Sequence, residues 1–175
     1  MNDFNLIVST FRFREEDAAD EMLDLLDVFG DSEAEAEITD VTGLILARTT
    51  MNPVQVVEKL KEVVALEPWE VRYILRVLPI EKIVAPELED IQGAAGELAA
   101  ARIGQDESFR VTVEKRHSHL HSAEIIDYVA EAVRRKVSLE SPDWVVLVEI
   151  IGKYAGLSVV RPGQIFSSVV EKRGV

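Results

Sequence analysis

Apolar side chains along this chain follow two different spacings, and the switches between them mark out its elements. Residues 4–11, Phe-Asn-Leu-Ile-Val-Ser-Thr-Phe, are rich in apolar and β-branched side chains and read as an opening strand. Ala18, Met22, Leu25, Leu26 and Phe29 follow at helical spacing among Asp and Glu, and the segment stops at Gly30. Ala34, Ala36 and Ile38 then alternate with Glu35, Glu37 and Thr39, the pattern of a half-exposed strand. Thr42-Gly43 reads as a turn and Leu44 to Thr49 as the returning strand. Asn52-Pro53 opens a second helix with Val56, Val57, Leu60, Val63 and Val64 on its buried face, and Val71 to Leu78 forms another strand. The resulting order, βαββαβ, is the ferredoxin-like arrangement.

Pro79 and Pro86 flank a junction, so the pattern predicts two domains, 1–80 and 81–175. Leu88, Ile91, Ala95 and Leu98 define a helix running to Gly104. A strand starting at Phe109 ends in Lys115-Arg116 and enters a His-rich loop. An amphipathic helix leaves that loop at Ser122 and closes in Arg134-Arg135-Lys136, with Val133 and Val137 continuing its buried stripe. Ser141-Pro142-Asp143 reads as a turn into a strand that looks buried on both faces, which gives Trp144 a packing role. A turn from Gly152 to Gly156 joins that strand to a last one. The expected fold is a mixed α+β and α/β chain, a ferredoxin-like domain followed by a second α/β domain.

Composition narrows the class. The chain has 175 residues, 47% of them hydrophobic. With a mean hydropathy of +0.07 this describes a globular protein rather than a disordered one. No apolar run approaches the ~20 residues that span a bilayer. Met1-Asn2-Asp3 lacks the basic start of a signal peptide. With no cysteine there is no disulfide framework, zinc ribbon or cysteine nucleophile. The expectation is a soluble, cytoplasmic protein.

A net charge of -13 argues against nucleic acid until its distribution is read. The first 108 residues hold 9 Lys and Arg against 24 Asp and Glu, a charge of -15. From Phe109 onward ten basic residues face eight acidic ones, giving +2, and all three histidines lie there. Such asymmetry fits two domains with different partners, and equally a host whose proteins have acidic surfaces.

The candidate chemistry sits in this last third. Lys115 and Arg116 stand where a strand passes into a loop, so core burial is not expected, and both suit phosphate: Arg as a planar donor fork, Lys as a point charge. An ordinary solvated charge pair is the alternative. His117, His119 and His121 alternate, so an extended segment would point all three one way, toward a metal, a stacked base or solvent. Arg134, Arg135 and Lys136 complement a helix C-terminus. At about 100° per residue they cannot share one face, which leaves one or two for solvent or RNA. Lys153 and Tyr154 offer a cation and an aromatic in a turn, suited to a backbone and a base, or simply to an exposed hairpin. Catalytic and cofactor signatures are lacking: Gly93-Ala94-Ala95-Gly96 has no phosphate-loop spacing, and there is no G-x-S-x-G or H-E-x-x-H. An RNA-recognition motif in the first half is disfavoured because Leu44 to Thr49 carries no aromatic.

The ordered series from Phe109 to Val160 resembles the THUMP domain, an RNA-binding module of tRNA-modifying systems. Its carriers are Lys115-Arg116, Ser122, the string Val137-x-Leu139-x-x-Pro142-Asp143, the strand Val145 to Ile150 and Gly156-Leu157-Ser158-Val159. The resemblance implies a preceding ferredoxin-like domain and RNA contacts through Lys115, Arg116, His117, His119, Arg134, Arg135, Lys153 and Tyr154. The chain ends soon after this series, so the likeness extends to the free-standing archaeal and eukaryotic type that assists tRNA cytidine acetylation. That type implies a tRNA-binding adaptor without cofactor or catalysis of its own, working with a separate RNA acetyltransferase. Two rival readings are a small metal-dependent enzyme using His117, His119 and His121, and a THUMP-like interaction module that binds no RNA.

Overall fold

The structure, a computed structural model, describes residues 1–174. It divides into two compact units, 1–80 with 163–175 and 81–162.

The first unit opens β1 (Leu6–Thr10), α1 (Glu15–Val28), β2 (Glu35–Ile38), β3 (Leu44–Arg48), α2 (Pro53–Leu66), β4 (Ile74–Pro79). The strands pair antiparallel in the order β4-β1-β3-β2. Leu6, Val8, Ile45, Ala47 and Val77 project from one face of this sheet by strand alternation. They pack with Ala18, Met22 and Leu26 of α1 and Val56, Val57, Leu60 and Val64 of α2 in one buried cluster. Asn52 starts α2 as the spacing predicted: its side chain accepts the Val54 N–H at 2.9 Å, and Pro53 fills the first helical position.

The second unit runs β5 (Lys82–Val84), α3 (Leu88–Arg102), β6 (Ser108–Arg116), α4 (Ser122–Val133), β7 (Lys136–Val137), β8 (Trp144–Ile151), β9 (Tyr154–Val160). Its sheet order is β5-β9-β8-β6-β7, with β6 parallel to both β7 and β8 and the other pairs antiparallel. Phe109, Val146, Val148, Ile150, Leu157 and Val159 meet Ile91, Ala95 and Ala99 of α3 and Ile125, Val129 and Val133 of α4. The Pro79–Pro86 junction thus holds a short strand, β5, and Gly93 to Gly96 lie within α3.

Two local expectations fail here. Helix α4 stops at Val133, and Arg134 takes the left-handed conformation with φ 55°. Lys136 and Val137 then pair with Ser108 and Phe109 as β7, so Val137 leaves the buried stripe and is 53% exposed. A non-Gly residue in the left-handed cap position gives no sequence signal, since that position usually announces itself through Gly or Asn.

The chain's closing stretch, β10 (Phe166–Ser167) and α5 (Ser168–Lys172), belongs to the first unit. Phe166 and Ser167 pair antiparallel with Val77 and Arg76 of β4, and Phe166 is wholly buried in the first cluster. The sequence division had placed these residues with 81–175.

Three donors converge on Glu107 beside β8. They are the Trp144 Nε1–H at 3.0 Å, the Gly104 N–H at 2.8 Å and the Arg161 Nη1–H at 2.9 Å. Led by the Trp144 indole, they hold this carboxyl down to about 2, against an ordinary 4.5. A carboxylate depressed in the folded state adds stability above its unfolded value and loses it as pH falls through the folded one. The contribution is therefore whole above about pH 4.5 and lost progressively toward pH 2. The Arg161 guanidinium lies 3.8 Å from the Trp144 ring centroid, so indole emission in a Trp69→Phe background should report the change. Glu107→Gln should flatten that response, and an unaltered pH profile in the variant would contradict the assignment.

Candidate nucleic-acid interface

The structure sorts the residues expected to touch RNA onto two ends of the second sheet. Lys115 and Arg116 close β6, His117 and His119 follow, and Lys153 and Tyr154 form the hairpin between β8 and β9. The Gly152 N–H donates to the Arg116 carbonyl at 3.0 Å, which ties this hairpin to the end of β6. Gly152 has φ 55°, the left-handed turn geometry that a tight two-residue connection requires. Arg134 and Arg135 lie at the other end, because β7 pairs with the start of β6. Nine residues of β6 separate the two groups, about 26 Å at about 3.3 Å per residue.

At the β6–β8 end, His117 takes φ 58°, and this left-handed turn breaks the extended run that would have aligned the three imidazoles. Among the described residues no group of three His, Cys, Asp or Glu could hold a metal ion. His117, His119 and His121 are instead exposed around the start of α4. His121 occupies the N-cap position without a side-chain cap, and the first helical bond is Ile125 N–H to His121 carbonyl at 3.1 Å. The N–H groups of Ser122, Ala123 and Glu124 therefore have no partner among the described residues, the condition that lets a helix start receive an anion. Lys115 Nζ reaches the Leu120 carbonyl at 2.6 Å and shapes the loop, while Lys153 is exposed with its Nζ 5.7 Å from the Tyr154 ring centroid.

Arg116, expected to face RNA from the end of a strand, is engaged within the sheet. Its Nη1 donates at 3.0 Å to Glu149 Oε1, and Glu149 is 1% exposed. Both lie on the sheet face opposite α4, a pairing across 33 residues that sequence spacing does not reveal.

At the far end most cations are engaged within the unit. Arg135 Nε donates to the carbonyls of Ile103 and Gly104 at 3.2 and 3.1 Å. Arg102 is held by Glu81 and the Val159 carbonyl, and Arg161 by Glu107 and Trp144. Arg134 and Lys136 are exposed. Trp144, expected as a core residue, packs half-buried on the second cluster and also carries the Glu107 hydrogen bond and the Arg161 guanidinium. By structural unit the charge contrast also softens: the second unit has ten Lys and Arg against fourteen Asp and Glu, the first nine against eighteen.

Residues 85–160 match the sequence profile of the THUMP domain, so an RNA-binding module is present within the second unit. No sequence match to a curated protein reaches significance. The fold is similar to that of PH1313 from Pyrococcus horikoshii, at 22% identity and a TM-score of 0.62 over 90% of this chain and 55% of that one. It is also similar to TrmN from Thermus thermophilus, at 24% identity and 0.61 over 90% and 46%. A 4-thiouridine synthetase solved with RNA and bound ATP shares the fold at 14% identity and 0.58 over 91% and 42%. The chain spans about half the length of these proteins. Among the described residues no helix is long and apolar enough to cross a membrane.

Proposed function

We propose that this chain is a cytoplasmic tRNA-binding adaptor that presents tRNA to a separate modifying enzyme, a cytidine acetyltransferase, and performs no chemistry itself. The observation that carries RNA binding is the THUMP domain at 85–160; the likeness of the Phe109–Val160 series to the free-standing acetylation type carries the choice of enzyme. In this reading Lys115, His117, His119, Lys153 and Tyr154 with the open start of α4 form the principal contact, and Arg134 a second one. Arg116 and Arg135 set the shape of their ends through Glu149 and the Ile103–Gly104 carbonyls. The antiparallel order β4-β1-β3-β2 with two helices on one face supports the ferredoxin-like reading of the first unit. It is the kind of domain the resemblance expects ahead of a THUMP module.

Phosphate contacts release counterions, so about four of them on a largely duplex RNA give a log–log salt slope near -3. Filter binding of tRNA across a salt series should show that slope. Incubating tRNA with this protein, acetyl-CoA and ATP should yield no acetylcytidine by mass spectrometry until an RNA acetyltransferase is added. Salt-independent binding would remove the phosphate argument, and acetylcytidine formed by this protein alone would remove the adaptor.

A further inference from the structure

The first unit carries a feature that the THUMP domain does not absorb. Between β1 and α1 the chain reads Phe11-Arg12-Phe13-Arg14, and all four residues are exposed, Phe13 at 85% and Phe11 at 50%. They form a tight turn, with the Arg14 N–H donating to the Phe11 carbonyl at 3.1 Å. Phe13, third in the turn, has φ 67°. That position of such a turn belongs to Gly or Asn, and an aromatic there is a strained choice. The ring repays no strain through packing, since it is almost wholly in solvent. Strain kept without a packing gain is the mark of a contact made with something else.

The turn is also built to hold its shape. Glu15 Oε1 accepts the Phe13 N–H at 3.3 Å and the Gly43 N–H at 3.1 Å, and the Thr10 N–H donates to the Gly43 carbonyl at 2.9 Å. Gly43, at φ 76°, fits because a Cβ there would stand 2.7 Å from the Thr10 carbonyl oxygen. Thr10 Oγ1 donates to the Tyr73 carbonyl at 2.7 Å and brings Arg72-Tyr73 alongside. The Arg12 guanidinium lies 5.5 Å from the Phe13 ring, and those of Arg14 and Arg72 lie 5.9 and 5.3 Å from the Tyr73 ring. Arg14 also pairs with Asp17 at 3.2 Å.

A lone exposed Phe is ordinary on a protein surface. Two of them alternating with arginines on a fixed turn are what a base-stacking platform needs: a flat apolar face for the base and a guanidinium to stack or meet the phosphate. We infer that the Phe11–Arg14 turn, with Arg72 and Tyr73, is a second nucleic-acid contact that stacks the bases of unpaired nucleotides. The inference rests on RNA being the ligand of this protein and adds to it the recognition of single-stranded segments. Glu15, Asp17 and Glu21 stand at the turn itself, inside the Debye length of about 8–10 Å, so their charge is felt there and the contact is one of bases rather than of phosphates. Stacking itself requires no net positive charge.

The test compares a blunt RNA duplex with the same duplex carrying a short single-stranded extension, using the full chain. Wild-type protein should prefer the extended RNA about tenfold or more. Phe11→Ala with Phe13→Gly should abolish the preference, leave affinity for the blunt duplex unchanged, and leave Tm equal or higher because Gly relieves the positive φ. A wild type with no preference overturns the inference, as does a variant that loses affinity for both RNAs equally or for neither. The last result would leave the turn without a part in RNA binding. Binding of the extended RNA without the blunt one would defeat the phosphate-contact reading of the second unit while sustaining the stacking turn.

Discussion

Replacing Arg116 with Met is expected to destabilise the second unit by about 3 kcal/mol. Glu149 stands in the middle of β8, opposite Gly156 of β9, with 1% of its surface exposed. Its carboxylate receives Arg116 Nη1 at 3.0 Å, and the Arg116 side chain is itself 22% exposed. Deleting one partner of a buried pair leaves the other charge desolvated without that cation, which costs about 3–5 kcal/mol. The partial exposure of Arg116 places the effect at the lower end. Replacing both partners, Arg116→Met with Glu149→Leu, should recover most of the loss, because apolar groups of similar volume need no compensation. Urea unfolding followed by Trp144 emission in a Trp69→Phe background measures both variants. A single variant within about 0.5 kcal/mol of wild type would mean the pair is solvated after all. The result also governs how RNA-binding mutants are read, since a loss of affinity in an Arg116 variant includes a loss of fold.

Reversing charge at the β6–β8 end should weaken tRNA binding about a hundredfold. His119→Glu with Lys153→Glu removes two polar contacts, each worth about 1.5–3 kcal/mol when charge-assisted, and replaces them with repulsion near the open start of α4. Neither side chain makes a hydrogen bond or ion pair among the described residues, so stability should hold. Arg134→Glu with Lys136→Glu, about 26 Å away along β6, should cost roughly tenfold through the second contact and the general field. Fluorescence anisotropy with labelled tRNA at fixed salt separates the two. A larger loss from the Arg134 and Lys136 pair would move the principal interface to the end of α4, and no loss from either would remove electrostatic binding by this unit.

The elements were legible where one period ran long enough. The helical stripes of α1, α2 and α4 follow from residue spacing alone, because each buries a single face. Around β2 the alternation holds at Ala34 and Ala36, which pack on the first cluster, but fails at Ile38, which is exposed. The three-residue β5 was hidden between Pro79 and Pro86, too short to show a period. The stop of α4 was hidden because Arg134 adopts a conformation that sequence assigns to Gly or Asn. For the site, the basic and His-rich positions could be picked by type and neighbourhood. Which of them the fold had already engaged could not, since Arg116 with Glu149 and Arg135 with Ile103 are partners more than thirty residues apart. Of the Phe11–Arg14 turn only Phe11 falls in the strand that the sequence predicts over residues 4–11, and its exposure with the sign of the Phe13 φ marks the turn.

The pairing of β10 with β4 bears on the order in which the molecule comes into being. Phe166 fills the first cluster from a point in the chain that emerges from the ribosome only after the whole of 81–162. Synthesis runs from the N-terminus and domains fold as they appear. The second unit, continuous in sequence, can therefore close first, while β4 waits with an unpaired edge and an unfilled hollow. A waiting edge of that kind is where a nascent chain is open to wrong pairing. Closing it joins residues about ninety positions apart, a long loop whose entropy is lowered once the intervening segment is already compact. In this chain the module completed last is the one whose first strand is made first.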